Sequence, residues 1–218
     1  MGTGAMKRST SSVWLHPPSP VTPGLRIGLL GGSFNPAHSG HLHISEVAMK
    51  RLDLDFVWWL VSPQNPLKSS IGMAPLHDRL HEARLIARNP HILVMDIERA
   101  LHSHYTIDTI RALQRRFPRA KFVWLMGSDN LKSFHRWRSW PEIVRRVPIA
   151  VVTRPGSAIS ALHAIPTTRF CRARRCHCDL ASARPPAIAV LDGPRNPQSS
   201  TAIRNAERGG EAMAASVG

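Results

Sequence analysis

The sequence predicts an α/β fold, a parallel β-sheet flanked by helices. Short apolar runs of strand length alternate with stretches whose apolar residues recur at helical spacing, the pattern of successive βαβ units. The first apolar run passes through Gly31-Gly32-Ser33-Phe34-Asn35-Pro36 straight into a helical stretch, a strand–turn–helix order. The loops after the first, second and fourth predicted strands carry the unusual polar residues, as expected of an open parallel sheet with one binding rim.

The elements follow in order. The first strand, 25–31, begins Leu25-Arg26-Ile27-Gly28-Leu29-Leu30, and the helix after it, 40–52, carries Ile44, Val47, Ala48 and Leu52 on one face. The second strand, 56–61, is apolar throughout and places Trp58 and Trp59 in the core. Leu76, Leu80, Ala83 and Ala87 predict a helix over 75–88. A third strand at 92–97, a helix over 106–117 and a fourth strand at 121–126, with Trp124 in the core, continue the alternation. Strands at 149–153 and 187–191 complete the sheet. Residues 154–186 are Arg- and Ala-rich with scattered Pro, break the pattern, and are expected to be irregular surface structure. The first 24 residues hold little that packs and lack the apolar middle of a secretory signal. The expected organisation is a disordered leader (1–24), a single domain (25–208) and a frayed tail (209–218).

At 218 residues and 43% hydrophobic content, the chain is long enough for one such core. No run reaches the roughly 18 apolar residues of a bilayer span, which points away from membranes and to the cytoplasm. A net charge of +15, mostly from Arg, suits nucleotides, pyrophosphate or nucleic acid. The basic residues form no compact stripe interleaved with aromatics, so nucleic acid is not the expected partner. Cys171, Cys176 and Cys178 are odd in number and lack a second ligand pair at zinc-site spacing, so neither a disulfide framework nor a resident metal is expected. Oligomeric state is not legible at this level.

His38-Ser39-Gly40-His41 closes the first turn. A helix N-terminus presents free N–H groups and the positive end of its dipole, and both favour a phosphate. His38 and His41, three apart, share one side of the first helical turn, and imidazole both donates hydrogen bonds and carries charge near neutral pH. The plain alternative is a structural His pair. Ser199-Ser200-Thr201 ahead of Ile203 and Arg204 reads as a helix cap and a second anion site. Asp129, in Gly127-Ser128-Asp129, is either a ribose ligand or a helix cap.

The segment from Gly31 through His38 and Gly40 to His41 resembles the nucleotidyltransferase signature of adenylyltransferases. Further matches follow in order: Ser62-Pro63-Gln64-Asn65-Pro66-Leu67-Lys68, Tyr105-Thr106-Ile107-Asp108-Thr109, Gly127-Ser128-Asp129-Asn130-Leu131, Trp137 with Trp140, Arg154-Pro155-Gly156, and 199–204. With these the chain is similar to the bacterial nicotinate-nucleotide adenylyltransferase family. The resemblance implies a Rossmann-like nucleotidyltransferase fold and transfer of AMP from ATP, entering with Mg²⁺, to nicotinate mononucleotide, with release of pyrophosphate. It implies in-line attack with no covalent intermediate, so that catalysis is positioning and charge stabilisation.

His38, His41 and Arg204 are the implied catalytic residues. Gly31, Gly32, Ser33, Phe34, Gly40, Gly127, Asp129, Ser199, Ser200 and Thr201 join them in binding ATP. Ser33, Gln64, Lys68, Tyr105, Thr106, Asp129, Trp137 and Arg138 are implied for the nicotinate nucleotide, with Trp137 stacked on the pyridine ring and Thr106 donating to the carboxylate. His43 lies off the motif. The chain departs from the family at Asn35, often Asp there, and matches it loosely over 157–186. The competing readings are an adenylyltransferase for nicotinamide mononucleotide, one for phosphopantetheine, and a non-catalytic basic nucleotide- or RNA-binding protein. The phosphopantetheine enzymes usually carry Thr at the His38 position and lack the Tyr-Thr-x-Asp-Thr and Trp-x-x-Trp elements.

Overall fold

The computed structural model describes residues 21–63, 72–102, 104–153 and 165–192. In chain order these form β1 (Arg26–Gly32), α1 (Ser39–Leu52), β2 (Phe56–Val61), α2 (Leu76–Ile86), β3 (Ile92–Met95), α3 (Ile97–Ala100) and α4 (Thr106–Arg116). Then come β4 (Lys121–Gly127), α5 (Ser128–Phe134), α6 (Trp140–Arg146), β5 (Ile149–Val152), α7 (Ile165–Arg169) and β6 (Ile188–Leu191), with 3₁₀ turns at Cys171–Ala173 and His177–Ser182. All strand pairs are parallel, and the order across the sheet is β3-β2-β1-β4-β5-β6. The winding direction reverses between β1 and β4, which opens a crevice at their carboxyl ends.

The alternation along each strand builds two apolar layers. Ile27 and Leu29 of β1, Trp58 and Leu60 of β2, and Trp124 and Met126 of β4 pack with Ile107, Ile110 and Leu113 of α4, Phe134 of α5 and Ile143 of α6. The opposite faces, with Leu30, Val57, Trp59, Val123 and Leu125, pack with Ile44, Val47 and Ala48 of α1 and with Leu80 and Ala83 of α2. The three strand tryptophans, Trp58, Trp59 and Trp124, are core residues as predicted, none more than 1% exposed. Val21 and Leu25 pack against the first layer.

Two expectations are corrected. The run 92–97 is not one strand: Asp96 interrupts it, its carboxylate takes the Arg99 guanidinium at 2.6 Å, and Ile97 enters α3. The segment before β6 is not confined to the surface. Leu180 and Ala181, in the 3₁₀ turn at 177–182, fill the second layer, and the Arg175 N–H donates to Ile188 O alongside β6. A 3₁₀ turn has no 3.6-residue period to announce its buried face. α5 and α6, at seven residues each, were too short for a period to show in the sequence.

Candidate active site

Gly31 and Gly32 finish β1 and do not form the turn. Gly31 is glycine because the Trp124 indole lies against it: a Cβ there would stand 2.6 Å from the ring. The left-handed conformation falls on Phe34 (φ +48°). Phe34 is 1% exposed and supports the site from behind. Its ring stacks on Trp59 at 5.1 Å and meets His41 at 4.5 Å, and the His41 ring lies 3.9 Å from that of His38. From the core side, the Trp59 indole N–H donates to Ser45 Oγ at 2.8 Å, and the Ser45 hydroxyl donates to His41 O at 2.9 Å. His41 is therefore held by stacking and through its own backbone.

His38 is the N-cap of α1, and the two histidines form a reciprocal cap. The Gly40 N–H donates to His38 Nδ1 at 3.0 Å, and the His38 N–H donates to His41 Nδ1 at 3.3 Å. A ring nitrogen that accepts carries no proton, so each neutral imidazole bears its N–H on Nε2. The cap thus sets both rings as Nε2 donors, and the structural and chemical readings of the pair coexist. His43 is a different case: half-buried, with a buried Nε2 that meets no partner.

Around this turn the chain is stitched by polar groups that sequence reasoning missed. Arg79 of α2 is 1% exposed. Its guanidinium donates to Ser33 O at 2.6 Å, Ser62 O at 2.7 Å, Pro63 O at 2.9 Å and Ala74 O at 2.9 Å. Burial lowers its pKa from the usual arginine value. Asn35 uses both ends of its amide, donating to Gly72 O and accepting from the Ala74 N–H. An Asp at this position would lack the donor. Glu98 of α3 is 5% exposed; burial pushes its carboxyl up to about 7, against the opposing pull of a hydrogen bond from the Ser62 hydroxyl. The visible signal for Arg79 was a charge set among the apolar positions Leu76, Leu80 and Ala83.

Across the crevice, α5 starts at Ser128 with Gly127 as its N-cap, so Asp129 lies in the first turn and is exposed. A Cβ on Gly127 would stand 2.6 Å from Asp129 Oδ1 and 3.4 Å from Ile44 Cδ1. The glycine thus lets the carboxylate fold back over the end of β4, beside α1.

Tyr105 is the N-cap position of α4 and Thr106 opens the helix, with the Asp108 N–H donating to Tyr105 O at 3.0 Å. The Arg138 guanidinium lies over the Tyr105 ring at 4.5 Å. Trp137 is half-buried and meets Phe134 and Trp124 edge-on at 5.2 and 6.0 Å, while Trp140 is the core residue of the pair. A cavity of about 430 Å³ opens beside Tyr105 and Arg138, lined also by His102, His104, Asp108 and Arg115. Trp137 does not line it. Gln64, Lys68, Ser199, Ser200, Thr201 and Arg204 lie outside the described residues.

Cys171, Cys176 and Cys178 are exposed free thiols. Among the described residues no three His, Cys, Asp or Glu side chains are grouped to hold a metal ion, and no helix is long and apolar enough to cross a membrane.

The cytidylyltransferase-like family model matches residues 29–206. A Parvibaculum lavamentivorans protein named "Probable nicotinate-nucleotide adenylyltransferase" is 52% identical over 194 residues, covering 87% of this chain and 95% of that one. A Caulobacter protein of the same name is 51% identical over 85% of this chain and 100% of its own length. In fold, the chain is similar to a Plasmodium falciparum nicotinic acid mononucleotide adenylyltransferase complexed with NaAD, with a TM-score of 0.62, 18% identity and 83% of each chain covered.

Proposed function

The chain belongs to the cytidylyltransferase-like family and, within it, to the nicotinate-nucleotide adenylyltransferases, and from that premise we propose that it transfers AMP from ATP to nicotinate mononucleotide, yielding nicotinate adenine dinucleotide and pyrophosphate in NAD biosynthesis. The observation that carries this reading is the reciprocally capped His38–His41 pair at the α1 N-terminus, beside the β1/β4 reversal.

An oxygen of the acceptor's 5′-phosphate attacks the α-phosphorus of ATP in line, and the bond to the pyrophosphate oxygen breaks. The Nε2 donors of His38 and His41 meet phosphate oxygens whose charge grows in the transition state. The backbone from Gly31 to Ser33 runs beside the nucleotide, with Gly40 in the first turn of α1. Phe34 acts only through its backbone and by supporting His41. Asp129, next to Gly127, takes a ribose hydroxyl. Ser199, Ser200, Thr201 and Arg204 form the second phosphate site, and Lys68 and Gln64 serve the acceptor side. Trp137, held upright by Phe134 and Trp124, stacks on the pyridine ring, while the first turn of α4 at Thr106, with Tyr105 and Arg138 beside it, receives the carboxylate. We place the activity in the cytoplasm.

Mg²⁺ would enter with ATP, held mainly by phosphate oxygens and water, and would supply charge neutralisation there. Chelation of divalent ions is expected to abolish pyrophosphate release and added Mg²⁺ to restore it. Undiminished turnover in excess chelator would reject this.

The deciding assay supplies ATP with each candidate acceptor and follows pyrophosphate and the adenylylated product. Stacking cannot separate acid from amide, but N–H donors accept a carboxylate and oppose an amide NH₂, leaving a buried polar group unpaired at about 1–3 kcal/mol. Nicotinate mononucleotide is therefore expected to be used at least about tenfold more efficiently than nicotinamide mononucleotide. Trp137→Ala weakens both by about 1–3 kcal/mol and keeps their ratio. Equal efficiency on the two would favour the broader-specificity enzyme, and turnover of phosphopantetheine alone would favour that acceptor.

A further inference from the structure

We propose that Arg79 is a positioning residue for the transfer reaction, one that fixes the loop after β1 against the segment leaving β2. Four of its five N–H donors reach four backbone carbonyls in three separate stretches: Ser33, Ser62 with Pro63, and Ala74. Ser33 opens the turn that leads into His38 and His41. Ser62 continues β2 beside it, with its N–H bonded to Gly32 O at 2.9 Å. The Ser62 hydroxyl is held from another side by Glu98, so Ser62 is pinned at both its carbonyl and its side chain.

A stabilising role alone does not account for this choice of residue. Among the described residues the Arg79 guanidinium forms no ion pair, and a buried charge facing only carbonyls is a poor way to fill a core position beside Leu80. What a guanidinium does that no apolar side chain can is hold several carbonyls in one plane at fixed spacing. The inference rests on the proposed function: the loop after β1 serves the phosphates, and the segment after β2 serves the acceptor. In-line transfer needs the two in register, and Ser33, implied for both nucleotides, is one of the carbonyls that Arg79 holds.

The test uses the full-length chain with Arg79→Lys, which keeps the charge and loses the fork, and Arg79→Gln, which keeps two donors and removes the charge. Folding is followed by far-UV circular dichroism in the cold. Dissociation constants are measured separately for the α,β-methylene analogue of ATP and for nicotinate mononucleotide, and kcat is taken per folded molecule. The expected result is that kcat falls about 10- to 100-fold while each separate dissociation constant stays within about threefold of wild type, with Arg79→Lys the milder variant. Unchanged kcat with only a lower melting temperature overturns the proposal. So does a parallel loss of binding and turnover, and so does failure of both variants to fold, because a positioning role must be separable from the fold. Wild-type protein inactive on nicotinate mononucleotide would instead sink the functional reading, and the same comparison then decides the role of Arg79 on whichever acceptor is turned over.

Discussion

His41→Ala lowers the kcat of AMP transfer by roughly 100-fold or more, because loss of one preorganised donor costs about 2.7–4 kcal/mol in the transition state. Binding of either nucleotide changes far less, since the Nε2 donor acts chiefly on charge that develops during transfer. His41 also caps α1 through Nδ1, and removing a cap costs about 0.5–2 kcal/mol of stability. His41→Asn, which restores a short acceptor for the His38 N–H, separates the two effects: stability recovers and turnover does not. The half-buried His43 makes a poor control, whereas His77, with its side chain 90% exposed, makes a clean one. Steady-state pyrophosphate release decides the matter. A His77→Ala loss as large as that of His41→Ala would remove His41 from the mechanism.

Glu98→Gln makes the protein more stable at alkaline pH and leaves it unchanged in acid. Burial raises the Glu98 carboxyl from 4.5 to about 7, so the folded state holds the proton more tightly than the unfolded chain does. The resulting stability is fully present below pH 4.5 and is lost as pH rises through 7. Over that window the loss is about 3 kcal/mol, an order-of-magnitude figure from about 1.4 kcal/mol per unit. Glutamine copies the neutral form at every pH. Thermal melts should therefore place the variant several degrees above wild type at pH 8 and level with it near pH 4.5. Identical pH profiles for the two proteins would show that Glu98 is not the group responsible.

Sequence alone was informative wherever structure and chemistry are local. β2 was legible to the residue because six consecutive apolar residues admit one reading, and the His pair was legible because its motif is continuous. Arg79 was not, since its role depends on carbonyls up to 46 residues away and backbone acceptors have no sequence signature. Glu98 was hidden just past a run that reads as one strand, where only the break at Asp96 separates β3 from α3. The strand runs one residue past its predicted end, through Gly32, and what the two glycines after Leu30 meet is a tryptophan from β4 and, at Gly32, a phenylalanine two residues on. Packing partners of that kind emerge only once the strand order is known.

The two apolar layers also divide the supports of the site. Phe34, Trp59 and Ile44, which underlie the histidines, belong to one layer, while Tyr105 and Trp137 rest on the other, with the sheet between them. Substitutions in separate, non-touching groups add in free energy with little interaction. Substitutions beneath Trp137 that stay clear of Trp124, which also lies against Gly31, are therefore expected to change how the acceptor is held while leaving the supports of the histidines in place.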